Sequence, residues 1–111
     1  MNKRKSQRRK LHFTVEHILG ESERCECQSE DVSRGGIQIT GTPGHGWGRP
    51  RHAWLSIALP GDSGTPIRAL GELRYERQRT DGFHLRGYRF KYMSPRERCR
   101  FNEFLDQASE A

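Results

Sequence analysis

Apolar and polar residues alternate along most of the chain beyond residue 10, with the period of β-strands that bury one face. The connections between these runs are rich in Gly, Pro, Asp and Ser, which favour turns. The fourth run shows the pattern most clearly, because apolar side chains occupy one face at every second position: Ala53, Leu55, Ile57 and Leu59. The pattern predicts six strands: 11–16, 24–30, 37–39, 51–60, 66–77 and 83–92.

The last two predicted strands differ in regularity. In the fifth, one face is apolar from Ile67 through Tyr75, and the other carries four charged residues that we expect to contact solvent: Arg68, Glu72, Arg74 and Glu76. In the sixth, the parity of the apolar positions changes between two pairs: Phe83 with Leu85, then Phe90 with Tyr92. Gly87 lies at the change, which predicts a β-bulge or a bend there.

A helix is predicted to follow the sixth strand. Ser94-Pro95-Arg96-Glu97 is a capping box with proline at the first helical position. An apolar stripe with helical spacing follows it: Phe101, Phe104, Leu105 and Ala108. We expect this stripe to dock on the sheet. The elements together predict a mainly β fold, a small six-stranded antiparallel β-barrel with a C-terminal α-helix.

Composition places the chain among small globular domains. Its 111 residues are enough for one domain, and only 32% of them are hydrophobic. No apolar run approaches the roughly 18 residues of a membrane span, and the N-terminus has no apolar signal-peptide region. We therefore expect a cytoplasmic protein. The three cysteines are expected to be reduced, with Cys25 and Cys27 facing inward as small hydrophobic residues, and no metal site is predicted.

Positive charge is concentrated at the N-terminus. The chain carries a net charge of +6, and its first ten residues contain six cations and no acid: Lys3, Arg4, Lys5, Arg8, Arg9 and Lys10. Such a balance favours anionic partners. We interpret residues 1–10 as a flexible basic arm and residues 11–111 as the barrel domain. Catalysis finds no support, since the nucleophile-elbow, P-loop and zinc-protease motifs are absent and the five histidines are scattered. No catalytic residue is predicted.

The stretch Asp31-Val32-Ser33-Arg34-Gly35-Gly36 has the composition of a turn between two strands, and it also places a carboxylate and a hydroxyl at a strand edge. Arginine binds phosphate oxygens, or guanine O6 and N7, through two parallel hydrogen bonds. A carboxylate accepts from the N1–H and N2–H groups of guanine. A guanine-containing phosphate ligand would thus use Arg4, Arg8 and Asp31. Ser33 would donate to a phosphate or to Asp31, and Gly36 would let the ligand approach the backbone.

These residues resemble the two motifs of the PilZ domain, a family of small bacterial β-barrels that includes receptors for cyclic di-GMP. Arg4 and Arg8 match its R-x-x-x-R motif, and Asp31, Ser33 and Gly36 match its D/N-x-S-x-x-G motif. The resemblance implies that the arginine segment folds over cyclic di-GMP, that the second motif receives a guanine, and that the ordered arm presents a new surface to a protein partner. It implies no cofactor besides this ligand.

Further ligand contacts and other functions stay open at this stage. Arg9 and Lys10 are candidate phosphate contacts because of their charge, and Tyr75 is either a stacking face or a core aromatic. Lys5 and Arg9 are also four residues apart, which offers a second register for the basic motif. One alternative function is an adaptor that binds protein whatever the nucleotide state. The other is a nucleic-acid-binding barrel, which the mostly inward positions of the aromatic residues disfavour.

Overall fold

The computed structural model describes residues 8–18, 24–41, 51–61 and 64–109. Within these ranges, six strands precede one helix, which confirms the predicted fold class. Their bounds are β1 Thr14–Ile18, β2 Arg24–Ser33, β3 Gly36–Gly41, β4 His52–Ile57, β5 Ile67–Gln78, β6 His84–Met93 and α1 Pro95–Ser109. No helix in these ranges is long and apolar enough to cross a membrane.

The strands form a closed barrel in the order β1-β2-β3-β6-β5-β4, and all neighbours are antiparallel. Its core contains most of the apolar residues that the alternation predicted to face inward, including Val15, Ile39 and Leu55. Helix α1 packs on this barrel through Phe101 and Leu105, both almost fully buried. The ring of Phe101 meets that of Phe90 edge to face at 5.4 Å between centroids, a favourable aromatic geometry.

The start of α1 confirms the predicted cap. The backbone N–H of Glu97 donates to Ser94 Oγ at 3.2 Å, and the Ser94 hydroxyl donates to Glu97 Oε1 at 3.0 Å. The other carboxylate oxygen of Glu97 accepts from the backbone N–H of Arg68 at 3.2 Å. The capping glutamate therefore also ties the first turn of the helix to β5.

Three shifts of register interrupt the ladders, and each reverses which face the following residues occupy. One lies in β2 at Glu30, one in β5 at Arg74, and one in β6 at Lys91. In each case the partner strand advances by one residue while the bulged strand advances by two, which is the arrangement of a β-bulge. Alternation alone therefore assigns the wrong face to residues beyond each bulge.

The bulges correct four sequence-based interpretations. Strand β2 runs through Asp31 to Ser33, so the predicted six-residue turn is reduced to Arg34 and Gly35. A register shift does occur opposite Gly87, but the extra residue is Arg74 on β5. Beyond Arg74, the predicted faces exchange: Tyr75 faces outward, and Glu76 turns towards the nearly buried Arg86. The bulge at Lys91 turns Tyr92 outward and Met93 inward.

All three cysteines are free thiols, as predicted. Cys27 is buried in the core, Cys25 is half-buried beside it, and Cys99 is exposed on α1. Burial raises the pKa of the Cys27 thiol to about 12, and the neighbouring Cys25 adds to this increase. The inward interpretation thus holds fully for Cys27 and in part for Cys25.

We expect Ellman's reagent to modify Cys99 rapidly and to leave Cys27 intact in the folded protein. At about pH 8, roughly one Cys27 in 10,000 is a thiolate, and the side chain is also shielded from the reagent. Mass spectrometry of quenched samples would locate the label, and a Cys99→Ser variant should lose the fast phase. Rapid labelling of Cys27 without denaturant would contradict its placement in the core.

Candidate functional site

A cleft of about 200 Å³ lies on the outer wall of β2, β3, β6 and β5. It is lined by the second motif, Asp31, Ser33 and Gly36, and by Arg8 from the N-terminal segment. The cross-strand register explains this grouping. On neighbouring strands, Asp31 lies opposite Gln38, Gln38 opposite Gly87, and Gly87 opposite Tyr75. Residues from distant parts of the chain are thus brought to one surface.

The bulge at Glu30 points the motif outward. Before it, odd-numbered residues of β2 such as Cys27 and Ser29 face the barrel interior, and after it the even-numbered Val32 does so. Asp31 and Ser33 therefore face the cleft and not the core. The Ser33 hydroxyl oxygen accepts from the backbone N–H of Gly35 at 3.3 Å, which fixes the tight turn into β3.

Gly36 is needed where β3 passes close to β6. A Cβ placed on Gly36 would lie 2.5 Å from the backbone oxygen of Tyr88, a distance that side chains do not tolerate. The sequence analysis assigned this glycine to ligand binding, because it would let the ligand approach the backbone. The structure adds a packing reason for it, since only glycine lets β3 keep this distance from β6.

Tyr75 forms one wall of the cleft. Its ring lies against Gly87, where a Cβ would be 2.2 Å from the ring carbon Cζ. The amide Nε2 of Gln38 donates to its hydroxyl at 2.7 Å, and the guanidinium of Arg77 lies 5.4 Å from the ring centroid. These contacts place the ring on the outside of the barrel. Of the two interpretations offered by the sequence, the core aromatic is excluded.

Arg8 and Arg9 face in opposite directions. Arg8 Nη1 lies 3.8 Å from Asp31 Oδ2 at the mouth of the cleft, with 64% of the Arg8 side chain exposed. Arg9 exchanges two backbone hydrogen bonds with Val32, at 2.8 and 2.9 Å, and its Nε donates to the carbonyl of Leu105 at 3.3 Å. Neighbouring side chains of an extended segment point to opposite sides, so Arg9 contacts α1 and Arg8 contacts the cleft.

The structure describes only some of the remaining predicted ligand contacts. Lys10 is described and exposed. Arg4 and Lys5 lie outside the described residues, so the first half of the basic motif and the arm boundary at residue 10 stay predictions. The assignment of ligand contacts as a whole likewise stays a prediction.

Sequence reasoning missed two arginines on the far side of the cleft. Arg74 and Arg89 line it, and both approach one carboxylate oxygen, Glu72 Oε1, at 3.8 and 3.5 Å. These distances exceed a hydrogen bond, and both arginines stay more than half exposed. In the sequence, each arginine occupies a polar position of an alternating strand, as residues on an ordinary solvent-exposed face do. The cross-strand pair of Arg89 with Glu72 becomes visible only once the register of β5 and β6 is known.

A polar network supports the floor of the cleft from inside the barrel. Tyr88 is buried, lines the cleft, and its hydroxyl lies 2.9 Å from Nε2 of the fully buried His17. Arg86, only 2% exposed, reaches Glu76 Oε2 through two nitrogens at 3.0 and 2.9 Å and approaches the Tyr88 hydroxyl at 3.4 Å. Burial raises the pKa of Tyr88, so the phenol stays protonated. These hydrogen bonds connect β1, β5 and β6 inside the barrel.

Comparisons with known proteins agree with this fold. The profile of the PilZ domain matches residues 2–107. The structure of the Bacillus subtilis inhibitor of motility (MotI/DgrA) superposes with a TM-score of 0.79 at 15% identity, over 99% of this chain and 53% of that one. This chain thus spans about half the length of that neighbour, and the likeness concerns the fold. No curated protein matches the sequence. Since the profile covers nearly the whole chain, the protein belongs to the PilZ domain family.

Proposed function

We propose that this protein is a non-catalytic, cytoplasmic receptor for cyclic di-GMP, and that ligand orders the N-terminal arm over the cleft and signals to a protein partner. The observation that supports it best is the convergence of Arg8, Asp31 and Ser33 on one cleft in a PilZ domain. Arg8 and Asp31, which are distant in the sequence, lie 3.8 Å apart in space.

The side chains around the cleft complement the parts of this ligand. The Asp31 carboxylate is an acceptor for the N1–H and N2–H groups of guanine, and the Arg8 guanidinium is a donor to phosphate or to guanine O6 and N7. Because the Arg8–Asp31 pair is longer than a hydrogen bond, a ligand can separate the two at small cost. The ring of Tyr75 offers a stacking face beside them.

The size of the cleft supports a role for the arm in covering the ligand. Pockets that enclose a whole drug-sized ligand measure about 300–1,000 Å³. The cleft on the barrel, about 200 Å³, therefore holds only part of a cyclic dinucleotide. On this proposal Arg4 covers the rest of the ligand, with Arg74 and Arg89 as further phosphate contacts from the barrel side.

Calorimetric titration of the purified chain with cyclic di-GMP tests the proposal, with cyclic di-AMP as the matched control. Adenine lacks the N1–H and N2–H donors that Asp31 accepts, so we expect heat from the guanine ligand only. A ligand at 100 times its Kd stabilises the native state by about 2.7 kcal/mol, which corresponds to a rise of about 10 °C in the thermal midpoint. Absence of both heat and a thermal shift at tens of micromolar ligand would reject the proposal.

A further inference from the structure

A row of apolar side chains crosses the outside of the barrel, on four neighbouring strands. Ile18 of β1 lies opposite Trp54 of β4, Trp54 opposite Leu70 of β5, and Leu70 opposite Tyr92 of β6. Directly opposed residues in antiparallel strands point to the same face, so these four side chains are neighbours. We call them the outer row.

The outer row is accessible although it is apolar. Trp54 is 39% exposed and Tyr92 is 55% exposed, while Ile18 and Leu70 are half-buried between their neighbours. Tyr92 belongs to this surface only because the bulge at Lys91 turns it out of the barrel. Contiguous exposed apolar side chains mark interaction sites, and Trp and Tyr are enriched among the residues that dominate binding energy.

The charges around the outer row are unbalanced. Glu16 pairs with Arg24 at 3.0 Å, and Glu72 is approached by two arginines. Arg68, two residues before Leu70 on the same face, and Lys91, beside Tyr92, have no ion-pair partner among the described residues. Two cations that are available to pair with an acidic partner thus flank the apolar surface.

This charge distribution selects among possible occupants. A second copy would bring Arg68 and Lys91 of two chains together, each chain with a net charge of +6, which opposes self-association. A membrane would require side chains that penetrate the headgroup region, whereas Ile18 and Leu70 are half-buried in the barrel wall. A protein segment with apolar and acidic side chains would cover the outer row and also pair with Arg68 and Lys91.

We infer that the outer row is a docking surface for a protein segment that carries aromatic or aliphatic side chains flanked by Asp or Glu. Both the outer row and the cleft use β5 and β6, but no residue of the outer row lines the cleft, so the two surfaces are distinct. The inference rests on the barrel wall and does not depend on ligand binding. It deepens the proposed function by assigning the partner a surface.

Selection of a random dodecapeptide phage library on the full chain, without cyclic di-GMP, tests this inference. We expect the selected peptides to be acidic and apolar. In fluorescence anisotropy, Tyr92→Ser and the double variant Arg68→Glu with Lys91→Glu should each weaken binding by about 10- to 30-fold. Phe83→Ser is the matched control, because Phe83 is 36% exposed but lies outside the row, and it should leave binding unchanged.

Several results would overturn the inference, provided that circular dichroism shows folded variants. These are the absence of any selected peptide, equal binding to the row variants and wild type, or selection of basic peptides. Dimerisation that Tyr92→Ser abolishes in sedimentation velocity would assign the row to a second copy. Binding to phosphatidylglycerol vesicles that Tyr92→Ser abolishes would assign it to a membrane. These experiments contain no nucleotide. Their results therefore do not depend on whether the protein binds cyclic di-GMP.

Discussion

Arg8→Ala is expected to weaken cyclic di-GMP binding by about 30- to 150-fold, the equivalent of about 2–3 kcal/mol for a charge-assisted contact. Arg8 faces the cleft and lies 3.8 Å from Asp31, so its guanidinium is available to phosphate or guanine. Calorimetric titration of the variant against wild type measures the loss. The thermal midpoint without ligand should change little, because the side chain is 64% exposed.

Arg9→Ala is the matched control for this experiment. It removes the same charge from the adjacent position, but the Arg9 side chain points to the carbonyl of Leu105. We therefore expect Arg9→Ala to retain ligand affinity within a few-fold. If Arg9→Ala lost affinity while Arg8→Ala kept it, the second register of the basic motif, Lys5 with Arg9, would be the correct one.

Gly36→Ala is expected to destabilise the barrel by about 2–3 kcal/mol, as overpacking in a rigid site does. The added methyl would meet the backbone oxygen of Tyr88 at 2.5 Å, and neither strand can retreat without breaking the β3–β6 ladder. A fall of about 10 °C in the thermal midpoint corresponds to this loss. Urea unfolding of the ligand-free protein separates it from any effect on binding.

Gly87→Ala provides the comparison, because its methyl would meet the far end of a side chain. The nearest atoms belong to the Tyr75 ring, which can swing away into solvent. We expect a smaller loss of stability than for Gly36→Ala, together with weaker ligand binding as the Tyr75 wall is displaced. A loss of only a few tenths of a kcal/mol for Gly36→Ala would contradict the close approach of β3 and β6 at Gly36.

The sequence was sufficient for the number and order of the elements. Alternation identified the six strands, and the Ser94–Glu97 capping box located the start of α1, because both depend on local periodicity and local hydrogen bonds. The second motif was also recognisable, since its spacing is a local property. These features need no knowledge of which strands pair.

The faces of Tyr75 and Tyr92 were not predictable by the same means. Each follows a bulge, at Arg74 or Lys91, and an extra residue in a strand has no compositional signature of its own. Gly87 did signal the irregularity near Arg74, but the sequence could not show that the extra residue belongs to the opposite strand. Arg74 and Arg89 could not be assigned to the cleft for the same reason, because their position beside it depends on the pairing of β5 with β6.

The pairing of Arg9 with Val32 has a consequence for the strength of the proposed arm contact. It anchors the N-terminal segment next to the motif, five residues after Arg4. Whatever the conformation between them, five residues span at most about 18 Å, so Arg4 stays within that distance of its anchor. A group tethered this closely has an effective concentration on the order of millimolar. An intrinsically weak contact between Arg4 and bound ligand would therefore be well populated, and dilution of the protein would not weaken it.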